Sequence, residues 1–311
     1  MRTIKKYLKY IGNIVTVLSI VLVIYALFKL DIDYSKLANP ASILVCIAGA
    51  LGVTLTVYIL AYTWKNTLDY LANTKTKYSE VAHVYGKANI GKYLPGNVMH
   101  YVERNLFATK IGLSQLDLAL STLVEIAGIV LVALILSVIL AHEELAIVIK
   151  EYLTLSYALI LIAILIIACI AVVIVYKKSE KIQAMAKRLK DVKFIFVLIK
   201  NMIIYAVVFL ILGFILVLIC GVILDVKLNM SKSIMIITYY MLAWMIGTII
   251  HLTPGGIGVR EGVLVLLMKS SGIMSSASIL TAALLHRMVS IIGDILGYLV
   301  ALMFNKKDKG E

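Results

Sequence analysis

The chain has 311 residues, of which 62% are hydrophobic and 15% are charged, and its formal net charge is +13. This composition excludes an ordinary soluble domain, because apolar runs long enough to cross a bilayer recur along the sequence. The positive charge does not indicate nucleic acid binding, since the lysines and arginines lie between the apolar runs, where membrane topology places them. No polar block reaches the roughly 50 residues of an independent domain. We therefore predict a single integral membrane domain over residues 1–311, without an appended catalytic domain.

Six apolar segments are predicted to span the membrane as helices. Each has at least the roughly 20 residues that a bilayer requires, and they cover residues 11–30, 42–64, 116–141, 153–176, 202–224 and 278–304. The first is too long for the apolar core of a secretory signal and has no small-residue cleavage pattern, so we expect it to remain as a span. The predicted fold class is thus an all-α polytopic membrane protein.

Two further segments, residues 78–111 and 233–270, are each interrupted by Pro-Gly and flanked by charges. A helix break inside a membrane is tolerated only where protein or a water-filled cavity satisfies the freed backbone groups. We interpret both segments as re-entrant helical hairpins, although residues 234–252 alone are long enough to cross. The structural alternative for the second segment is a simple bend in which Arg260 and Glu261 neutralise each other.

The loop charges predict the orientation of the chain in the cell (cytoplasmic) membrane. Lysines and arginines concentrate before the first span, after the second and the fourth, and in the C-terminal tail, whereas the other loops are poor in cations. Cation-rich loops stay on the cytoplasmic side. With six spans every loop falls on its expected side, and both termini are predicted to be cytoplasmic.

The two Pro-Gly segments resemble each other. Tyr93-Leu-Pro-Gly96 matches Leu252-Thr-Pro-Gly255, and each is followed by adjacent acidic and basic residues, Glu103-Arg104 and Arg260-Glu261. This similarity indicates an internal repeat.

The proposed repeat divides the chain into residues 1–150 and 151–311. Each half contains two spans, a broken hairpin and one more span, so the odd number of crossings inserts the halves in opposite orientations. Inverted repeats with broken helices that meet near the bilayer midplane are a transporter architecture, with the site at the repeat interface.

Ionisable groups near apolar segments are few, and because they are costly there, each is a candidate functional residue. We predict that Arg260, Glu261 and Arg287 hold an anionic lipid headgroup, since a guanidinium grips phosphate with two parallel hydrogen bonds. Helix N-termini after the two breaks would add N–H donors. The other predicted headgroup-binding residues flank the breaks and are Pro95, Gly96, Asn97, Arg104, Pro254, Gly255, Gly256 and Gly258.

A second group of residues is predicted to couple transport to protons or an ion: Glu125, His251, His286 and Asp294. We expect Glu125 or Asp294 to pair with Arg287 or Arg260, and the sequence does not choose among these pairs. The alternative role for each is an internal salt bridge that holds helices in register. No metal-ligand spacing and no nucleotide-binding loop occurs, so neither a metal nor a cofactor is predicted.

Several of these motifs together resemble a known family. Tyr93-Leu-Pro-Gly-Asn97, Gly112-Leu-Ser114, Pro254-Gly-Gly-Ile-Gly-Val-Arg-Glu261 and His286-Arg287 are similar to the integral-membrane, flippase-like domain of lysylphosphatidylglycerol synthases. The resemblance covers nearly the whole chain. It implies movement of an aminoacylated phosphatidylglycerol, or of a polyisoprenyl-phosphate sugar as in stand-alone relatives, between leaflets. Lipid synthesis is not implied, because the soluble synthase domain is missing from this chain.

The predicted function is therefore that of a flippase-like transporter whose partners are membrane lipids. Two alternatives stay open at this point. One is a membrane-embedded enzyme that modifies a lipid phosphate with Glu261 or His286 as acid or base, although a paired nucleophile and base is missing. The other is a non-catalytic membrane partner of a separate glycosyl- or aminoacyl-transferase. The sequence leaves the oligomeric state open.

Overall fold

The computed structural model describes residues 34–93, 99–109, 112–140, 183, 191–249 and 258–307. These residues are largely helical and include no strand, which confirms the all-α prediction. A short helical turn, Tyr34–Leu37, precedes the main helices. These are α1 (Pro40–Leu71), α2 (Tyr78–Asn89) with the 3-10 turn Ile90–Tyr93, α3 (Met99–Ala108), α4 (Gln115–Leu140), α5 (Val192–Leu218) with the π-helical turn Ile219–Ile223, α6 (Met230–Ile249), α7 (Val259–Ser270) and α8 (Ser276–Lys307).

Four of these helices are long and apolar enough to cross a membrane: Pro40–Leu71, Gln115–Leu140, Val192–Ile223 and Ser276–Phe304. They coincide with four of the six predicted spans. Their outward faces carry large apolar side chains, such as Leu44 at 66% exposure and Ile203 at 62%. Contiguous apolar surface of this kind marks a membrane or protein contact, so the structure is that of a membrane protein. The other two predicted spans, 11–30 and 153–176, lie outside the described residues.

Local capping determines where the long helices begin. The Asn39 side chain accepts a hydrogen bond from the Ala41 N–H at 3.0 Å, and Pro40 occupies the first turn of α1, where its missing N–H costs nothing. Asp191 caps α5 in the same way, by accepting from the Lys193 N–H at 3.0 Å. Both helix starts can be recognised in the sequence, because Asn and Asp side chains accept hydrogen bonds from backbone N–H groups that the first turn of a helix leaves unpaired.

Helix α1 is central, because it packs against α2, α4, α5 and α8. It approaches α8 most closely at Gly293, where an added methyl group would lie 2.6 Å from the Ala50 carbonyl oxygen. The Thr54 hydroxyl donates to the Gly293 carbonyl at 2.8 Å, and the Tyr58 hydroxyl donates to the Gly297 carbonyl at 2.6 Å. Small residues four apart let membrane helices approach backbone to backbone. The Gly293–Gly297 contact holds one face of α8 in the interior, and no prediction from the sequence included it.

The two broken segments both pack against α8. Helices α2 and α3 contact each other on either side of residues 94–98, and α6 and α7 do so on either side of residues 250–257. Because α2 and α7 each contact α8, the two segments meet around the inner part of this helix. The space between them is the candidate site.

Candidate functional site

A cavity of about 190 Å³ lies between the two broken segments and the long helices. Its lining is mostly apolar, with side chains from α1, α5 and α6 among others, and water-exclusion by such walls strengthens electrostatic contacts. The ionisable side chains that line it, apart from tyrosines, are Lys92, His100, Glu125, Arg260, Glu261, His286, Arg287 and Asp294.

Arg260 is the second residue of α7, and no carboxylate among the described residues balances its charge. None of the four ion pairs among the described residues includes it. Its Nη2 donates to the Thr248 hydroxyl at 3.3 Å, and its guanidinium lies 5.3 Å from the centre of the Trp244 ring. Its buried Nε has no hydrogen-bond partner in the part of the chain that the structure describes. Since a guanidinium has five N–H donors, Arg260 retains donors for a ligand in the cavity.

Glu261 has two partners and is not neutralised by its neighbour Arg260. One carboxylate oxygen accepts from the Gly258 N–H at 2.7 Å, and the other accepts from Arg287 Nη1 at 3.1 Å. Gly258 has a φ of 85°, which favours glycine at this helix start. Among the described residues Glu261 thus pairs with Arg287 and not with Arg260, while the bend itself lies outside the described residues. The side chain of Glu261 caps α7 and attaches it to α8, which leaves Arg260 beside the cavity.

Asp294 is completely buried and connects α8 to the first broken segment. Its carboxylate accepts from Asn89 Nδ2 at 2.7 Å and from the Tyr93 hydroxyl at 2.5 Å, and it pairs with Lys92 Nζ at 2.7 Å. The expected pairing with Arg287 or Arg260 was wrong. Arg287 and Asp294 lie two helical turns apart, about 10 Å along the axis, so a direct pair cannot form.

Lys92 was missed as a site residue. Its signal in the sequence was its position directly before Tyr93-Leu-Pro-Gly96, a cation inside a broken segment.

Arg104 and Glu125 form a buried ion pair beside the cavity. Arg104 Nη2 lies 2.6 Å from a Glu125 oxygen and donates to the Thr122 hydroxyl at 2.9 Å. The Tyr85 hydroxyl donates to the other Glu125 oxygen at 2.7 Å. Three rings surround the guanidinium, with centres at 4.3, 4.8 and 5.3 Å, and they belong to Trp64, Tyr85 and Tyr101.

This network corrects the expectation that Glu125 pairs with Arg287 or Arg260. Arg104 on α3 reaches Glu125 first, because α3 packs against α4. Glu125 lines the cavity, whereas Arg104 does not. Arg104, a predicted headgroup residue, therefore faces a carboxylate and three rings.

The remaining predicted site residues divide into two groups. His286 lines the cavity, with Nε2 within 3.0 Å of the Leu212 carbonyl oxygen and its ring 4.8 Å from that of Tyr240. The others lie outside the described residues: Pro95, Gly96, Asn97, His251, Pro254, Gly255 and Gly256. The structure thus brings Arg260, Glu261 and Arg287 together at one cavity with Glu125, His286 and Asp294.

Within the described part of the chain, no group of three or more His, Cys, Asp or Glu side chains is placed to hold a metal ion. No protein-family model matches the chain, and no curated protein matches it. The functional interpretation therefore rests on the cavity and on the motifs.

Proposed function

We propose that this protein binds the anionic headgroup of a membrane lipid in the central cavity and moves the lipid between the leaflets of the cell membrane. Arg260 carries this proposal, because it is a cation beside an apolar-walled cavity with no carboxylate partner among the described residues. An uncompensated charge is expensive inside a membrane protein. A phosphate would compensate it and match the geometry of the guanidinium.

The two halves support a transporter architecture by their matching ion pairs. In the first half, Arg104 on the short helix α3 pairs with Glu125 on the long helix α4. In the second half, Glu261 on the short helix α7 pairs with Arg287 on the long helix α8. In each case the pair joins a short helix to the long helix that follows it, and the signs of the two charges are exchanged. In our proposal the chain is an inverted repeat of six spans and two re-entrant hairpins, with both termini in the cytoplasm and the cavity at the repeat interface.

The cargo class follows from the motif resemblance together with the cavity. Aminoacylated phosphatidylglycerol and a polyisoprenyl-phosphate sugar both carry a phosphate that Arg260 would bind. In either case the lipid tails would remain among the apolar helices while the headgroup passes through the cavity.

The contacts of Glu261 and His286 favour transport over catalysis. Both Glu261 oxygens accept hydrogen bonds from protein groups, and His286 is oriented by the Leu212 carbonyl. A general acid or base must reach the proton of its substrate, and both oxygens of Glu261 are already engaged, one with the start of α7 and one with Arg287 of α8.

Transbilayer movement in liposomes tests the proposal. The purified protein would be reconstituted and assayed with phosphatidylglycerol, its lysyl ester and a polyisoprenyl-phosphate sugar. Arg260→Ala removes the unbalanced cation, and Lys269→Ala is the matched control, because Lys269 is an exposed cation on the last turn of the same helix. We expect one lipid to move with the wild type and with Lys269→Ala, and its rate to fall at least tenfold with Arg260→Ala.

Other outcomes assign other functions. Normal movement by Arg260→Ala would contradict the site. No movement of any lipid by folded wild-type protein would favour a partner of a separate transferase, and a lipid product of changed mass would favour an enzyme.

A further inference from the structure

The charges of the described residues around the cavity leave one positive charge unbalanced. Each carboxylate at the cavity belongs to an ion pair, and these pairs are Glu125 with Arg104 at 2.6 Å, Glu261 with Arg287 at 3.1 Å, and Asp294 with Lys92 at 2.7 Å. Arg260 is the fourth cation. Four cations against three carboxylates give a charge of +1 among the described residues, with both lining histidines neutral.

The burial of the paired carboxylates limits how much negative charge on a ligand the cavity can balance. The paired carboxylates have little contact with water, since the side chains of Glu125, Glu261 and Asp294 are 1%, 8% and 0% exposed, and Arg260 itself is half-buried. One negative charge on a ligand would be balanced by Arg260. A second negative charge would lose its water without gaining a counter-charge, which is strongly unfavourable in a poorly solvated site.

Lys92 is the nearest alternative counter-charge, and it is already engaged. Its side chain is 30% exposed, the most accessible of the three paired cations, and it lies 2.7 Å from Asp294. A doubly charged ligand would have to compete with Asp294 for this cation. Asp294 is held in place by Asn89 and Tyr93, so it cannot move away at little cost.

We propose, on the basis of the function proposed above, that the cavity selects lipids whose headgroup phosphate carries a single negative charge. Phosphodiesters meet this condition, whereas a terminal phosphomonoester meets it only when protonated. The rings of Tyr93, Tyr101, Tyr240 and Trp244 line the same cavity and would contact the group esterified to the phosphate. A lipid with a bare terminal phosphate lacks that group as well.

Two of the titratable lining groups are histidines, a residue type whose ordinary pKa lies near neutrality. The titratable and charged groups that line the cavity with Arg260 are Tyr85, Lys92, Tyr93, His100, Tyr101, Glu125, Tyr205, Tyr240, Glu261, His286, Arg287 and Asp294, and Arg104 lies behind Glu125. Of these, only His100 and His286 ordinarily titrate between pH 5.5 and 8.5. A test that varies pH must therefore correct for the histidines.

The test compares two short-chain lipids with identical dihexanoyl tails, phosphatidylglycerol as the diester and phosphatidic acid as the monoester. Binding to the full chain in neutral detergent would be measured by calorimetry at pH 5.5 and at pH 8.5. A phosphomonoester loses its second proton at a pKa of about 6. We expect phosphatidylglycerol to bind at both pH values. Phosphatidic acid should bind comparably at pH 5.5 and at least tenfold more weakly at pH 8.5. The diester measured at both pH values corrects for histidine protonation.

A charge variant should reverse this preference. Asp294→Asn keeps an acceptor for Tyr93 and releases Lys92 as a second unbalanced cation, so affinity for phosphatidic acid at pH 8.5 should rise at least tenfold. Asp69→Asn is the matched control, because it removes the carboxylate of the Lys65–Asp69 pair away from the cavity. If Asp294→Asn does not fold, the comparison of the two lipids on the wild type decides alone.

Failure of this inference is distinguishable from failure of the proposed function. Equal binding of both lipids at pH 8.5 would overturn the selectivity, while Arg260-dependent movement in liposomes would still support transport. Binding of neither lipid would also overturn the selectivity. The proposed function is tested separately in liposomes, where the absence of movement of every lipid would overturn it.

Discussion

The arginines of the two broken segments, Arg104 and Arg260, differ in their contacts. Arg104 on α3 lies among three aromatic rings and pairs with Glu125, and it is 3% exposed. Arg260 on α7 contacts one ring and one hydroxyl and has no carboxylate partner among the described residues. One arginine stabilises the structure, and the other is available to a ligand.

The difference arises from the neighbouring long helix. Helix α4 presents a carboxylate, Glu125, to the short helix of its half. Helix α8 presents a cation, Arg287, which forms an ion pair with Glu261. Arg260 then has no carboxylate partner among the described residues. In our proposal, similar local motifs therefore have a structural role in one broken segment and a binding role in the other, according to the sign of one residue on the next helix.

The largest expected effect is a loss of stability when Arg104 loses its carboxylate partner. Glu125→Ala leaves the buried guanidinium of Arg104 without its counter-charge and removes the acceptor of the Tyr85 hydroxyl. Breaking a buried pair from one side costs about 3–5 kcal/mol. We expect a large fall in the unfolding midpoint of the detergent-solubilised protein, followed by tryptophan fluorescence.

The double variant Arg104→Leu with Glu125→Leu is the control for that experiment. It removes both charges together, so most of the lost stability should return. An unchanged midpoint for Glu125→Ala would show that Arg104 does not depend on this carboxylate.

The second prediction separates binding from stability. Arg260→Leu removes one 3.3 Å hydrogen bond and an unbalanced cation, so the free energy of unfolding should change by less than about 1.5 kcal/mol. Lipid movement should nevertheless be lost. Arg104→Leu should do the reverse and destabilise the protein, because it leaves Glu125 unpaired. Equal destabilisation by the two variants would remove the distinction between the segments.

The third prediction concerns the space that Arg260 occupies. A methyl group added at Gly247 would overlap the Arg260 side chain, whereas one added at Gly262 would meet no atom within 4 Å. Gly247→Ala should displace Arg260 and slow lipid movement several-fold. Gly262→Ala should leave movement unchanged, and its higher helix propensity should raise stability by up to about 1 kcal/mol. Parallel transport assays and thermal unfolding measure both effects.

The smallest effect is expected at a surface contact remote from both arginines. The Tyr70 hydroxyl donates to Asp191 at 2.7 Å and, with the Lys193 backbone N–H, lowers the pKa of this carboxyl group. The ionised form therefore stabilises the folded state above the ordinary carboxyl pKa, and this contribution is lost as pH falls through the lowered value. Asp191→Asn retains a good cap and should show a slight loss of stability at pH 7 that vanishes in acid. A loss that persisted in acid would show that the charge is not responsible.

Much of the fold was predictable because its signals are local. Apolar length identified four helices that the structure confirms as able to cross a membrane, and Asn39 and Asp191 mark helix starts through their own side-chain hydrogen bonds. The candidate site was predictable in composition, since few ionisable residues lie near apolar segments. Arg260, Glu261, His286 and Arg287 were identified on that ground, and they line one cavity.

The pairing of these charges was decided by tertiary structure alone. Lys92 reaches Asp294 across 202 positions of the chain, because the Gly293–Gly297 contact holds this face of α8 inside the bundle. Arg104 reaches Glu125 because α3 lies against α4. The sequence by itself determined which residues must be compensated within the membrane. Which partner compensates each one, and that Arg260 has no carboxylate partner among the described residues, depends on distances of a few ångströms between helices that are far apart in the chain.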